Sequence, residues 1–174
     1  KLAQKHGMSD EERIETIIEN HNAVVLPGDE VWCLGDVALS WGKRRHQDHI
    51  HQLINRLHGN LHLLVGNHDR DEVTSSPRWN KVTHYHELKV DMGTEHKQKI
   101  VLSHYPITSW NGKHRGAWHL HGHCHGNLTL KLGRAMDVGV DVYNRLRPLP
   151  LMEVAARMQE VRDLSFDHHT SNEP

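Results

Sequence analysis

The sequence predicts an α/β fold in which two sheets pack together with helices outside. Three observations predict it: helical periodicity alternates with short apolar strands early in the chain, strand-like runs dominate the middle, and an amphipathic helix follows Pro150. Alternation followed by strands suits stacked layers that share a core. At 174 residues the chain is long enough for one domain with a sizeable core, read as 1–164 with a polar tail over 165–174.

Each element has its own signal. Ser9-Asp10-Glu11-Glu12 is a capping box, and Ile14, Ile17 and Ile18 follow at helical spacing, so the first helix runs to about Asn20. Pro27-Gly28 and Gly35 bound a strand over 31–34. A second helix carries Ile50, Leu53, Ile54 and Leu57 on one face and stops near Gly59-Asn60. A buried strand over 61–65 ends at Gly66. Strands over 85–90 and 100–103 flank Met92-Gly93-Thr94 as a hairpin-like pair. Further strands are expected over 118–121, 128–132 and 136–140, the last two joined through Gly133-Arg134. The closing helix carries Leu151, Val154, Ala155, Met158 and Val161.

Composition narrows the function. Charged residues at 25% and apolar residues at 36% read as a soluble globular chain. A net charge of −1 gives no electrostatic case for nucleic acid, and no apolar run is long enough for a membrane span. Cys33 and Cys124 are too few for a disulfide framework, so a reduced, cytoplasmic setting is expected. The chain has 19 histidines. Those scattered outside motifs, such as His46, His49, His51 and His58, read as surface or half-buried side chains, and only the clustered ones are candidate ligands.

The clustered residues sit at the ends of apolar runs: Gly35-Asp36, Gly66-Asn67-His68-Asp69, Ser103-His104 and Gly122-His123-Cys124-His125. Asp, Asn and His are oxygen and nitrogen ligands for divalent transition metals. Strand-end loops that each deliver one or two of them describe a metal site assembled across a sheet edge. Singly, each has a plain alternative: Asp36 and Asn67 as turn residues, His104 and His123 as strand-end histidines.

In this order the motifs resemble the calcineurin-like metallophosphoesterases. Leu102-Ser103-His104-Tyr105-Pro106 followed by Trp118-His119-Leu120-His121-Gly122-His123 is similar to the small bacterial and phage branch of that family. The resemblance spans roughly residues 9 to 150. It implies a four-layer α/β/β/α sandwich and two divalent cations; the mixed oxygen and nitrogen ligand set makes Mn²⁺ the first choice, with Fe, Zn, Ni or Co as options. It also implies roles. Asp36 would bridge the cations, Asn67, His104 and His123 would complete the second site, and His125 would serve the first. His68 would protonate the leaving oxygen, oriented by Asp69. The family's opening Asp-x-His and its first strand have no counterpart before Asp36. An upstream strand is the expected source, with Asp167-His168-His169 as the alternative.

The expected activity is hydrolysis of a phosphomonoester or phosphodiester by a metal-activated water, on a small phosphorylated substrate such as a nucleotide. His114 and Arg115, in a Gly-rich loop, are candidates to touch substrate phosphate, with a solvated loop charge as the equal alternative. Trp41 and Trp110 are candidate substrate walls, whereas Trp32 and Trp118 belong to the core. Cys124 is expected to point away from the metals by strand alternation. Two other functions stay open: a catalytically impaired metal-binding scaffold, and a nuclease.

Overall fold

A computed structural model of the protein describes residues 9–37, 47–143 and 146–161. Helix α1 (Asp10–Val24) starts at Ser9, whose hydroxyl accepts from Glu12 N at 3.2 Å while Ser9 N donates to the Glu12 carboxylate at 2.8 Å. The capping box is thus made, and it pairs two N–H groups that a helix start leaves open. Strand β1 (Glu30–Cys33), helix α2 (Gln47–Asn55) and strand β2 (Asn60–Leu64) follow, then a short helix α3 (Asp71–Thr74) and strand β3 (Trp79–Thr83). These strands form a parallel sheet in the order β1-β2-β3.

Strands β4 (Tyr85–Val90), β5 (Gln98–Ser103), β6 (Trp118–His121) and β7 (Ala135–Asp137) form a second sheet in chain order. β4 and β5 are antiparallel, with Tyr85 opposite Ser103, and β5, β6 and β7 are parallel. Helix α4 (Leu151–Gln159) completes the described residues.

Side-chain alternation explains the layering. Val31, Leu61 and Leu63 face Ile50 and Ile54 of α2 in one core. On the other face of that sheet, Trp32 and Leu64 join Ile100, Leu102, Trp118 and Leu120 of the second sheet in a shared core. Leu61, Leu63 and Leu64 have no exposed surface. Burying each contributes about 1.5–3 kcal/mol.

This is a small mixed α/β fold of two stacked sheets, with four α-helices and seven strands among the described residues. The expected four-layer α/β/β/α metallophosphoesterase sandwich is not what the chain forms. A fourth layer would need helices over the outer face of the second sheet. That face, with Val101, is instead covered by the loop side chains Ile107, Trp110 and Leu132. Helix α4 puts Val154 and Met158 into the core shared by the sheets.

Other expectations shift locally. Residues 128–132 form no strand, because Leu128 and Leu130 are 37% and 59% exposed and only Leu132 is buried. β6 and β7 therefore meet by a crossover, as their parallel register requires. Trp118 is buried as expected, whereas Trp110 is also buried, its indole N–H donating to Ala117 O at 2.9 Å, and forms no substrate wall. Trp41, Asp167, His168 and His169 lie outside the described residues, as does the tail over 165–174.

Candidate metal centre

Parallel strands deliver the motif loops to one edge. β1 leads into Gly35-Asp36, β2 into 66–69, β5 into His104 and β6 into 122–125. Two loops are joined by one carboxylate. Asp69 Oδ2 accepts from Asp36 N at 2.8 Å and Gly66 N at 2.9 Å, and its Oδ1 accepts from Val37 N at 2.9 Å. Asp69 was expected to orient His68. Both of its oxygens are instead committed to backbone N–H groups, and no bond from the His68 ring to it is seen among the described residues.

Asp36 Oδ1 accepts from His68 N at 2.8 Å, which leaves Oδ2 facing His104 Nε2 at 3.4 Å. His104 is 2% exposed, and its Nδ1 lies 2.7 Å from Leu34 O. A carbonyl only accepts, so Nδ1 carries the proton and a neutral ring then has a bare lone pair on Nε2. That lone pair faces Asn67 Oδ1 at 3.0 Å as well as Asp36. In that neutral form Nε2 is an acceptor set 3.0 Å from Asn67 Oδ1 and 3.4 Å from Asp36 Oδ2, an arrangement that would suit a cation.

His123 joins from the next loop, its ring centroid 5.1 Å from that of His104. Donor atoms of Asp36, His104 and His123 all lie within 4.8 Å of one another. Ligands about 2.0–2.2 Å from a shared ion are at most about 4.4 Å apart, so the trio would need only a small inward movement to share one ion. Tyr105, which sequence reasoning passed over, packs edge-on against both rings, at 4.9 Å from His104 and 4.7 Å from His123.

The close approach of loops depends on two glycines. A Cβ on Gly66 would strike Asp36 Oδ1 and sit 2.9 Å from His104 Cε1. One on Gly35, where φ is +90°, would lie 2.5 Å from His104 Nδ1. Asp36 and His123 themselves hold positive φ, at 56° and 67°. Such backbone strain in non-Gly residues is held where surrounding contacts over-determine it.

His125 stands apart from the trio. Its Nδ1 lies 2.9 Å from Asp141 Oδ2, and Asp141 is buried while the His125 side chain is 52% exposed. A carboxylate behind Nδ1 fixes the tautomer and turns Nε2 outward, the usual support of a metal-bound histidine. Asp141 was not foreseen, since its only sequence signal is an isolated acid 16 residues downstream. Residues 122–127 are tight turns, with Cys124 N donating to Gly122 O at 2.8 Å, so strand alternation does not govern Cys124. Burial, and then the carboxylates of Asp69 and Asp137, raise the Cys33 thiol to about 12 and the Cys124 thiol above its ordinary value. Neither is predisposed to act as a thiolate ligand.

His114 and Arg115 belong elsewhere. They lie in a 3₁₀ turn (Lys113–Arg115) before β6, beside the start of β5. The ligand loops leave the far ends of those same parallel strands. Six residues of β5 put about 20 Å between the two edges.

No protein-family model matches the chain. Gene 66 protein of Mycobacterium phage L5 is 27% identical over 173 residues, covering 84% of this chain and 83% of its own. Uncharacterized protein MJ1445 of Methanocaldococcus jannaschii is 32% identical over 140 residues, covering 77% of this chain and 69% of its own. Among solved structures, the protein of unknown function AQ665 from Aquifex aeolicus superposes with a TM-score of 0.62 at 18% identity, over 86% of this chain and 87% of that one. That likeness concerns the fold alone.

Proposed function

Since the chain belongs to the same family as the uncharacterized protein MJ1445, we propose from its own site residues that it is a metal-dependent phosphoesterase. The observation that carries the metal is the convergence of Asp36 Oδ2, Asn67 Oδ1 and the lone pair of His104 Nε2, with His123 beside them. Asp36, Asn67, His104 and His123 hold one divalent cation, and Asp36 with His125 contributes to a second. Mixed oxygen and nitrogen donors suit Mn²⁺, and Fe, Zn, Ni or Co fit the same set. Bound cations supply Lewis acidity, which lowers the pKa of water toward neutrality and offsets charge on phosphoryl oxygens.

The chain's residues do the rest. Water adds to phosphorus and gives up a proton to solvent, the ester P–O bond breaks, the exposed His68 delivers a proton to the departing oxygen, and solvent restores that proton to His68. Asp69 staples the loops that carry Asp36 and His68. Tyr105 limits the movement of His104 and His123. The substrate is a small phosphorylated molecule, nucleotides included, in a cytoplasmic setting. No described helix is long and apolar enough to cross a membrane.

Chelator-treated protein assayed on p-nitrophenyl phosphate and bis-p-nitrophenyl phosphate tests this reading. Activity is expected to return with Mn²⁺ more than with Mg²⁺, and His68→Ala to lower it by roughly 10²–10⁴-fold. Equal turnover before and after metal loading would refute it. A second reading, a metal-binding scaffold, has one observation behind it: Asp69 is committed to structure, so the His68-Asp69 pair is no sign of an acid catalyst. Metal binding without turnover of any phosphoester would select that reading.

A further inference from the structure

A cavity of 210 Å³ opens at the edge of the second sheet opposite the candidate metal centre, between the start of β5 and the turn before β6. Its wall includes His96, Lys97, Lys99 and Arg115, with Gly112. One of these charges is already neutralised: Lys99 Nζ pairs with Glu87 at 2.7 Å. Glu87 also accepts from Tyr85 and Asn111, at 2.7 and 3.1 Å, so it has little capacity for another cation. Among the described residues, neither Lys97 nor Arg115 has a carboxylate partner.

The turn that presents Arg115 is rigid. Gly112 and Gly116 flank it with φ of 83° and 78°. Arg115 N and Ala117 N both donate to Gly112 O, at 2.9 and 3.0 Å. The Gln98 amide donates to Gly116 O at 3.1 Å and ties the turn to β5. Lys97 and Arg115 line the same cavity, and an anion between two such cations offsets their mutual repulsion. We propose that this cavity is a binding site for a small phosphoryl anion, of the size of phosphate or diphosphate. A guanidinium fork and an ammonium are the groups that recognise such oxygens. The volume is below the roughly 300–1,000 Å³ of pockets for organic ligands, which favours the compact anion. The site is separate from the metal centre and does not rest on the phosphoesterase reading.

Calorimetric titration of the full chain with sodium diphosphate, in excess chelator so that no metal can recruit the anion, tests the proposal. Saturable binding is expected, weakened by about tenfold or more in Lys97→Ala/Arg115→Ala and changed by less than about twofold in His123→Ala. Titration with ADP separates two sources: affinity equal to that of diphosphate assigns the site to the end of a nucleoside chain, weaker affinity to the free anion. Absent saturation at millimolar diphosphate, an unchanged isotherm in the double variant, or an equal loss in His123→Ala would each overturn it. Both substituted side chains of the double variant are exposed, and matching thermal melts establish that its fold is intact.

Discussion

Asp69 ties together the two loops that carry the candidate ligands Asp36 and Asn67. Its carboxylate accepts three backbone N–H groups from two loops, at 2.8 to 2.9 Å. Asp69→Asn replaces one acceptor oxygen by a donor that faces another donor. Urea denaturation should register a loss of about 1–3 kcal/mol, with weaker Mn²⁺ binding alongside. A variant with unchanged stability and metal affinity but slow turnover would instead support an acid that orients His68. Residues such as Asp36, Asn67, His104 and His123 were legible in the sequence because each follows an apolar run that ends in a loop. The role of Asp69 was not, since its partners are backbone groups that no residue type announces. Asp141 escaped for a related reason: it stands 16 positions beyond His125, and their contact exists only after the chain between them has folded back. Trp110 was misread because its burial comes from the loop's own closure onto Ala117 O.

Among the elements, α1 shows how local signals and tertiary anchors combine. Its capping box fixes the start, and His21 and Asn22 fix the end by bonding His58 O at 3.0 Å and Arg56 O at 2.9 Å. Ser9→Ala should cost about 0.5–2 kcal/mol, read as a lower thermal midpoint with metal affinity unaltered. A fall in metal affinity of the same size would mean that α1 positions the centre. The β4–β5 pair and β6 were also readable from alternation and turn residues. Strand β3 was not, because Trp79 alone of its residues is buried and the rest offer no apolar pattern. Residues 128–132 failed in the opposite sense. Leu128, Leu130 and Leu132 alternate as a strand should, yet no strand among the described residues pairs with them.

At the scale of the whole molecule, two cores on either face of the first sheet hold the ligand loops at a common edge. The layering shows why motif order was a poor guide to architecture: strand-end ligands need only a shared edge, whatever covers the outer faces. Beneath the second sheet's outer cover, His119 has no exposed surface and accepts from Ile107 N at 3.2 Å. Burial lowers its pKa to about 4, with the nearby His121 adding to the effect against hydrogen bonds that raise it. Between that value and the ordinary 6.5 the unfolded chain binds more protons than the folded one. This contribution to stability is therefore full above 6.5, declines as pH falls, and is lost through about 4, by on the order of 3 kcal/mol. Urea midpoints should fall between neutral pH and about pH 5, and less so in His119→Gln. An equal decline in both would assign the effect elsewhere. The central claim, that Asp36, Asn67, His104 and His123 hold a divalent cation, is tested most directly by calorimetric titration of chelator-treated protein with MnCl₂. Saturable binding is expected in the wild type, with affinity lower by about tenfold or more in His123→Ala. An isotherm that His123→Ala leaves unchanged, or no saturable binding by the wild type, would contradict it.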